Sequence, residues 1–141
     1  MNAPTIALAP LRNALSMLNE ALLFWRAQPD GAPLKPHLRS AVIQSFEFSY
    51  ELSLRLLRRV LMERSGSPPQ VAELSFADLL RAGADAGLVS DPQGWREWRE
   101  LRIATSHAYS EAKAQAVAER AAGFATAASA LLVALEASLA P

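Results

Sequence analysis

The eight residues 102–109 contain an arginine, two neighbouring hydroxyls, a histidine and a tyrosine. The arginine is Arg102, and the histidine, His107, is one of only two in the chain. A guanidinium group offers a rigid fork of N–H donors that suits a phosphate, and an imidazole exchanges protons near neutral pH. Together, these two side chains have the chemistry needed to handle a phosphodiester.

The spacing of these two residues sets a geometric condition. On a regular α-helix, with about 100° of rotation per residue, Arg102 and His107 point about 140° apart. One unbroken helix therefore does not direct both at one ligand, so either the helix ends between them or two copies of the chain share a site. The alternative is non-catalytic, since an arginine and a histidine near a helix end often form a surface ion pair and a helix-terminal cation.

The composition limits the classes of function. The 141 residues include no cysteine, and 14 basic and 14 acidic residues give a formal net charge of zero. A cysteine nucleophile and a thiolate metal site are therefore excluded, and there is no global charge that would attract nucleic acid non-specifically. The two histidines, His37 and His107, are far apart and lack a metal-ligand spacing, so we expect no metal and no cofactor.

Apolar residues recur at intervals of three and four, which predicts helices with one buried stripe each. We predict one domain over residues 1–141, an all-α, up-and-down four-helix bundle with an extra short helix. Pro10 opens the first helix, the second runs from about His37 to Arg64, and Ser75 caps a short one that reaches about Ala86. Asp91 caps the next helix, and Ser110 caps the last. The stripes are Leu11, Leu15, Leu18, Leu22 and Trp25 in the first helix, Ile43, Phe46, Tyr50, Leu54, Leu57 and Leu61 in the second, and Val117, Ala121, Phe124, Ala128, Leu131, Leu135 and Leu139 in the last.

The second helix carries a further apolar face, formed by Phe48, Leu52, Leu56 and Val60. Two apolar faces predict burial from two directions. This helix is therefore either the centre of the monomer or the seam of a dimer.

Several side chains near the motif have both a structural and a functional interpretation. Trp95 and Trp98 share one face, for which we favour core packing over a base-stacking platform. Glu47 lies beside the apolar stripe, needs a partner such as Arg102 or a backbone N–H, and is more readily a structural anchor than a direct functional group. Arg99 belongs to a mixed-charge face that is only weakly indicative of phosphate binding.

Two sequence runs carry a resemblance to a known family. They are Phe46-Glu47-Phe48-Ser49-Tyr50-Glu51-Leu52 and the Arg-x4-His-x-Tyr motif from Arg102 to Tyr109, and Gly87-Leu88-Val89 and Trp95 stand between them. With these residues the chain resembles the nucleotidyltransferase substrate-binding proteins of the HEPN superfamily, over about residues 40 to 115.

The resemblance implies a helical bundle that forms a homodimer and pairs with a small separate nucleotidyltransferase subunit, often as a toxin–antitoxin module. It also implies that Arg102 and His107, contributed by both protomers, form a metal-independent ribonuclease site. Tyr109 would then be a candidate acceptor of a nucleotide transferred by the partner, and the equal alternative is a tyrosine at a helix end that packs its ring. The candidate binding residues are Glu47, Arg99, Ser106 and Tyr109.

The chain departs from the family pattern at Ile103, where the family usually has a polar residue, commonly Asn, directly after the motif arginine. An isoleucine donates no hydrogen bond and is expected to turn toward the core. We therefore expect the ribonuclease activity to be weak or absent.

Three functions remain open: a nucleotide- or RNA-binding module for a nucleotidyltransferase, an endoribonuclease toxin, and a purely structural helical adaptor. The chain is not expected to be a nucleotidyltransferase itself, because it lacks clustered acids for Mg²⁺. No signal peptide is apparent, and the uncharged run 121–135 is shorter than the roughly 20 residues of a membrane span, so we expect a cytoplasmic protein without membrane contact.

Overall fold

Six α-helices and one 3₁₀ turn account for most of residues 5–141, the part of the chain that this computed structural model describes. The first four residues, which belong to the segment where no signal peptide is expected, lie outside the described residues. No strand occurs between residues 5 and 141, which confirms the all-α fold class. The elements are α1 (Ala9–Ala27), α2 (Lys35–Arg64), α3 (Pro68–Ala72), α4 (Phe76–Asp85), α5 (Pro92–Ala104), the 3₁₀ turn Thr105–His107, and α6 (Glu111–Leu139).

Most predicted helix ends agree with the structure. Ser75 Oγ accepts a hydrogen bond from Asp78 N at 3.2 Å, and Asp91 Oδ1 accepts one from Gly94 N at 3.1 Å, so both are the predicted N-caps. Ser110 stands at the N-cap of α6, but its side chain makes no capping bond.

Two boundaries differ from the prediction. The helix α2 begins at Lys35, because Pro36 fits within a first turn, where its missing N–H is not needed. The short helix α3 is absent from the predicted helices, and it starts with Pro68 and Pro69, which fit a first helical turn for the same reason.

The core is built around α2, which packs against α1 and α6. Phe46 is fully buried, and its ring meets Phe124 of α6 edge-on at 4.9 Å between centroids. Trp95 and Trp98 of α5 meet the same Phe124 ring edge-on at 5.8 and 6.0 Å. The two tryptophans therefore pack against the core, as favoured over a base-stacking platform.

Phe48 is exposed, although the sequence analysis placed it on a second apolar face of α2 that was predicted to be buried. Leu52, Leu56 and Val60 are buried, but Phe48 is 60% exposed. It lines an open groove between α1 and α2 together with Met17, which is also 60% exposed. Within one chain, the second face is thus covered only in the C-terminal half of α2.

The helix α6 is long and apolar enough, by length and composition alone, to cross a membrane. Ten of its residues, among them Phe124, Leu131 and Leu135, are buried against the other helices. Core packing therefore accounts for its predicted apolar stripe except at Leu139, which is 36% exposed at the end of the helix.

Gly83 marks the tightest contact between α4 and α2. A Cβ at this position would lie 2.7 Å from Val89 Cγ2 and 3.3 Å from Leu57 Cδ1, in a buried region. We expect Gly83→Ala to lower the free energy of unfolding by about 1 kcal/mol, because overpacking costs about 1–3 kcal/mol and the gain in helix propensity returns only about 0.5–1 kcal/mol. Urea denaturation measures the change, and Gly66→Ala, whose Cβ would meet nothing within 4 Å, is the matched control. A stabilised Gly83→Ala variant would contradict the close packing.

Candidate functional site

Arg102, near the end of α5, is held by two carboxylates of α2. Its Nη1 lies 3.0 Å from Glu47 Oε2, and its Nε lies 3.1 Å from Glu51 Oε1. The side chains of Arg102 and Glu47 are 32% and 34% exposed, so the pair lies at the protein surface and is partly accessible. The sequence analysis predicted either Arg102 or a backbone N–H as the partner of Glu47, and the structure shows Arg102. The ion pair connects α5 to α2.

Thr105 completes this cluster. Its Oγ1 accepts a hydrogen bond from Arg102 Nη1 at 2.9 Å. The same Oγ1 lies 2.7 Å from the Arg102 carbonyl oxygen and 3.1 Å from Glu47 Oε2, and it can donate its proton to either. Thr105 is buried, and sequence reasoning did not single it out as a site residue. The available signal was its position three residues after Arg102, which places it next to that side chain on a helical turn.

One nitrogen of the Arg102 guanidinium, Nη2, is left without a hydrogen bond among the described residues. Nε and Nη1 are engaged with Glu47, Glu51 and Thr105, whereas Nη2 makes no hydrogen bond to any residue between 5 and 141. Two carboxylates and a hydroxyl hold the group in one orientation. Arg102 therefore presents the N–H groups of Nη2 from a fixed position, with its positive charge offset by the two carboxylates.

The helix α5 ends between the two motif residues, since it stops at Ala104 and a 3₁₀ turn carries His107. This break meets one of the two geometric conditions set by the sequence. Even so, Arg102 turns toward the carboxylates of α2, while the exposed His107 ring lies beside Tyr109, with centroids 6.4 Å apart. No hydrogen bond joins Arg102 to His107 within the described chain.

The segment that carries His107 and Tyr109 is fixed at both ends. Before it, Thr105 is bonded to Glu47 of α2. After it, Glu111 Oε1 lies 3.0 Å from Arg39 Nη2, and this guanidinium holds the pKa of Glu111 below its usual range. Helix α2 therefore positions the motif from two sides.

The remaining candidates are spread around this segment. Ser106 is exposed and its Oγ donates to the Ile103 carbonyl at 2.8 Å, while Tyr109 is 85% exposed. Arg99 lies over the Phe76 ring at 4.7 Å and lines a shallow cleft between α4 and α5. The structure brings Glu47 to Arg102, and it does not bring Arg99 into that cluster.

Ile103 does not turn toward the core, contrary to the expectation from sequence. Its side chain is 51% exposed. The core face of α5 is set by Trp95 and Leu101, and a residue two positions after Leu101 is rotated by about 200° to the opposite side of a helix. An exposed isoleucine therefore lies directly beside Arg102.

Tyr50 is a second residue near the site that the sequence analysis treated only as part of the core. Its side chain is buried, and this burial raises its pKa from 10.0 to about 12, against the opposing charge of Arg99. Glu51 adds to the rise, and Arg102 opposes it. The Tyr50 ring therefore extends from the core toward the charged cluster.

The raised pKa of Tyr50 predicts a loss of stability at alkaline pH. Because the unfolded state releases this proton near pH 10 and the folded state near pH 12, the contribution is fully present below about pH 10 and is lost as the pH rises toward 12. We expect Tyr50→Phe to reduce the fall in unfolding free energy across that window, measured by denaturant titration at several pH values. Tyr109→Phe, at an exposed ring, should leave the fall unchanged, and an equal effect of both substitutions would contradict this assignment.

Metal-ligating side chains do not cluster in the part of the chain described, residues 5–141, where no three His, Asp or Glu side chains come together so as to hold an ion.

Comparison with known proteins places the chain in a family. The sequence profile described as "Nucleotidyltransferase substrate binding protein like" matches residues 7–137. The chain belongs to this family. The match covers nearly the whole sequence and confirms the resemblance inferred from the two motif runs.

Two relatives of this substrate-binding family come from Haemophilus influenzae. A protein named Probable ribonuclease HepT is 39% identical over 80 residues, which are 57% of this chain and 55% of that protein, so the match spans about half of the relative's length. A solved structure, described as the fold of a substrate binding domain of a nucleotidyltransferase, is 31% identical with a TM-score of 0.83, over 92% of this chain and 99% of that one. The chain therefore has the fold of a nucleotidyltransferase substrate-binding domain.

Proposed function

We propose that this chain is a homodimeric substrate-binding subunit that associates with a separate small nucleotidyltransferase, within a toxin–antitoxin-type module. It contributes a cleft for a nucleotide or an RNA end, and nucleotidyl transfer itself belongs to the partner. The observation that carries this proposal is the anchoring of Arg102, which bonds Glu47, Glu51 and Thr105 through Nε and Nη1 and leaves Nη2 unbonded, in the same motif as the exposed His107 and Tyr109.

The distribution of exposed apolar side chains supports dimerisation. Ile103 is 51% exposed and directly follows Arg102, and Phe48 is 60% exposed and directly follows Glu47. A second chain that covered these residues would bring its own polar groups next to the Arg102–Glu47 pair. Arg102 and His107 do not meet within one chain. A site shared by two chains would allow the arginine of one and the histidine of the other to act on the same ligand.

The net charge around Arg102 also supports dimerisation. Two carboxylates, Glu47 and Glu51, lie within 3.1 Å of a single guanidinium, so the cluster carries a formal charge of −1. A phosphate approaching this cluster is repelled unless a further cation is present. In a dimer, the partner chain supplies that cation.

Sedimentation velocity at micromolar concentration tests the dimer, and we expect the wild-type chain to sediment as one. Ile103→Asp should produce monomers, because it places a charge in the covered surface. Leu23→Asp, at a 66% exposed residue of α1, is the matched control and should remain dimeric. A wild-type protein that is monomeric under these conditions would remove the shared site.

Co-expression with a nucleotidyltransferase encoded beside this chain tests the partner. We expect the two to co-purify, and we expect intact-protein mass spectrometry to find nucleotide added to this chain but not to Tyr109→Phe. The exposure of Tyr109 supports its role as acceptor. Unmodified Tyr109 in the presence of an active partner would refute transfer, and failure to co-purify would refute the association.

A second candidate function is a metal-independent endoribonuclease, favoured by the fixed guanidinium and the exposed imidazole at a helix junction. In such a reaction, His107 takes the proton of the RNA 2′-hydroxyl as its oxygen attacks the phosphorus. The bond from phosphorus to the 5′-oxygen breaks, which leaves a 2′,3′-cyclic phosphate, and the departing 5′-oxygen takes a proton from the protonated imidazole or from water. Arg102 Nη2 then stabilises the negative charge that develops on the phosphate. The carboxylates that neutralise Arg102 and the missing polar residue at 103 make this the weaker candidate.

A further inference from the structure

The segment 106–110, which carries the exposed His107 and Tyr109, lies at the surface between α5 and α6. Two turn bonds, donated by the amides of Ala108 and Ser110 at 3.1 and 3.2 Å, shape it from within. Such short-range bonds set the local curvature of a segment but not its direction relative to the bundle. The position of the segment therefore depends on the elements that hold its two ends.

The C-terminal end of this segment leads into the first turn of α6, which lacks a side-chain cap. Ser110 occupies the N-cap position, but its hydroxyl makes no capping bond. The Ala114 amide donates to the Ser110 carbonyl at 2.9 Å and so forms the first backbone bond of the helix. A capping side chain normally stabilises the residue at which a helix begins. In its absence, a contact from another helix can take over this role.

Arg39 of α2 makes such a contact. Its Nη2 lies 3.0 Å from Glu111 Oε1, and its Nη1 donates to Gln115 Oε1 at 3.3 Å, so one guanidinium spans the first two turns of α6. The Arg39 side chain is only 13% exposed, whereas that of Glu111 is 83% exposed. The planar fork of an arginine fits two acceptors at once only in a defined geometry. Arg39 is therefore the fixed member of the contact, and the start of α6 is the part that it holds.

We infer that Arg39 is a positioning residue for His107 and Tyr109, which it holds by fixing the first turn of α6. Tyr109 precedes Glu111 by two residues, so a displacement of that turn moves the phenol directly. The arginine acts through Glu111 and Gln115, and no direct role in the chemistry is assigned to it. This role deepens the proposed function and rests on it, because it gives the position of Tyr109 a consequence for nucleotide transfer.

The transfer requires a defined position of the Tyr109 hydroxyl. Its oxygen attacks the α-phosphorus of a nucleoside triphosphate held by the nucleotidyltransferase partner. The new phosphorus–oxygen bond forms as the bond to pyrophosphate breaks, and the phenol proton passes to water or to a base. A displacement of a reacting group by about 1 Å can lower the rate by about 10²-fold. A change at Arg39, away from the reacting atoms, is therefore expected to slow the transfer.

Amide hydrogen exchange of the full chain, followed by NMR, tests whether Arg39 holds the start of α6. We expect Arg39→Gln to speed exchange of the Ala114 amide by about threefold to fivefold, as for the loss of one partly exposed ion pair. Ala128, in the middle of the same helix, should keep its wild-type rate. The matched control is Arg64→Gln, which removes a guanidinium that bonds Ser138 at the other end of α2 and α6, and it should change neither rate.

A double-substitution cycle with Glu111→Gln shows whether the effect passes through this contact. If Arg39 acts through Glu111, exchange at Ala114 in the variant with both substitutions should be slower than the product of the two separate effects predicts. Independent, multiplicative effects would show that the two side chains are not coupled, and they would overturn the inference.

The consequence for Tyr109 is measured in the complex with the co-encoded nucleotidyltransferase, with ATP as the nucleotide donor. We expect Arg39→Gln to lower the rate of transfer at saturating ATP by about tenfold, because the acceptor is misplaced. The KM for ATP should stay unchanged, since ATP is bound by the partner and the substitution alters only the acceptor. Arg64→Gln should change neither value. A raised KM with an unchanged maximal rate would contradict a positioning role.

The exchange data and the transfer data separate this inference from the proposed function. Unchanged exchange at Ala114 in Arg39→Gln would overturn the inference, and so would equal acceleration at Ala114 and Ala128, which indicates global destabilisation. If the wild-type chain receives no nucleotide from an active partner, transfer to Tyr109 is refuted. In that case, the exchange data alone decide whether Arg39 holds the segment that carries His107 and Tyr109.

Discussion

Phe46→Ala is expected to lower the free energy of unfolding by about 3–5 kcal/mol, the usual cost of removing a fully buried phenylalanine ring. Phe46 has no exposed surface, and it lies on α2, around which the bundle is built. Its ring contacts Phe124 edge-on, so the substitution also leaves a cavity between α2 and α6. Chemical denaturation followed by circular dichroism measures the loss.

The matched control is Phe24→Ala, which removes the same ring from α1. Phe24 is 50% exposed and is not among the residues that a second chain is proposed to cover, so this change should alter stability by less than about 0.5 kcal/mol. Both variants need to be compared at one protein concentration, because dimer formation couples unfolding to concentration. Point substitutions in general destabilise a protein by about 1 kcal/mol. A loss well under this value for Phe46→Ala would contradict the position of Phe46 in the core.

Ile103→Asn is expected to raise RNA cleavage from a weak or undetectable level, by up to about 10²-fold, which is the typical effect of one charge-stabilising donor. The exposure of Ile103 strengthens this expectation, because an asparagine at this surface position can reach a ligand bound by Arg102. Cleavage of a fluorogenic RNA in the presence of EDTA measures the rate. His107→Ala should abolish cleavage in both the wild-type and the Ile103→Asn background.

The control for this experiment is Val133→Asn, which changes another exposed apolar residue, on α6, and should not affect cleavage. The result that would reverse the ranking of functions is rapid, metal-independent cleavage by the wild-type chain that is lost in His107→Ala. In that case, the ribonuclease function would become the primary one.

The cluster around Arg102 explains why one change at residue 103 is expected to matter. The guanidinium already uses Nε and Nη1 to bond Glu51, Glu47 and Thr105, so only Nη2 remains for a phosphate. With one cation between two carboxylates, the developing charge on a phosphate receives little net stabilisation. A further donor at residue 103, or a cation from a second chain, would supply it.

The sequence by itself determined the helices and the inward faces of most of them. Intervals of three and four between apolar residues identify a buried stripe because an α-helix has 3.6 residues per turn, and the stripe from Leu11 to Trp25 is buried throughout. The caps at Ser75 and Asp91 were equally local, since each side chain bonds a backbone N–H three residues away. The family followed from the order and spacing of two short runs.

Only the tertiary structure decided which of these faces are covered and which polar groups meet. Phe48 and Ile103 have the same apolar character as buried neighbours, yet both are exposed, because burial depends on whether another helix lies opposite. The contact between Arg102 and Glu47, for example, spans 55 positions in the chain. Such features depend on long-range packing, which no local pattern of residues encodes.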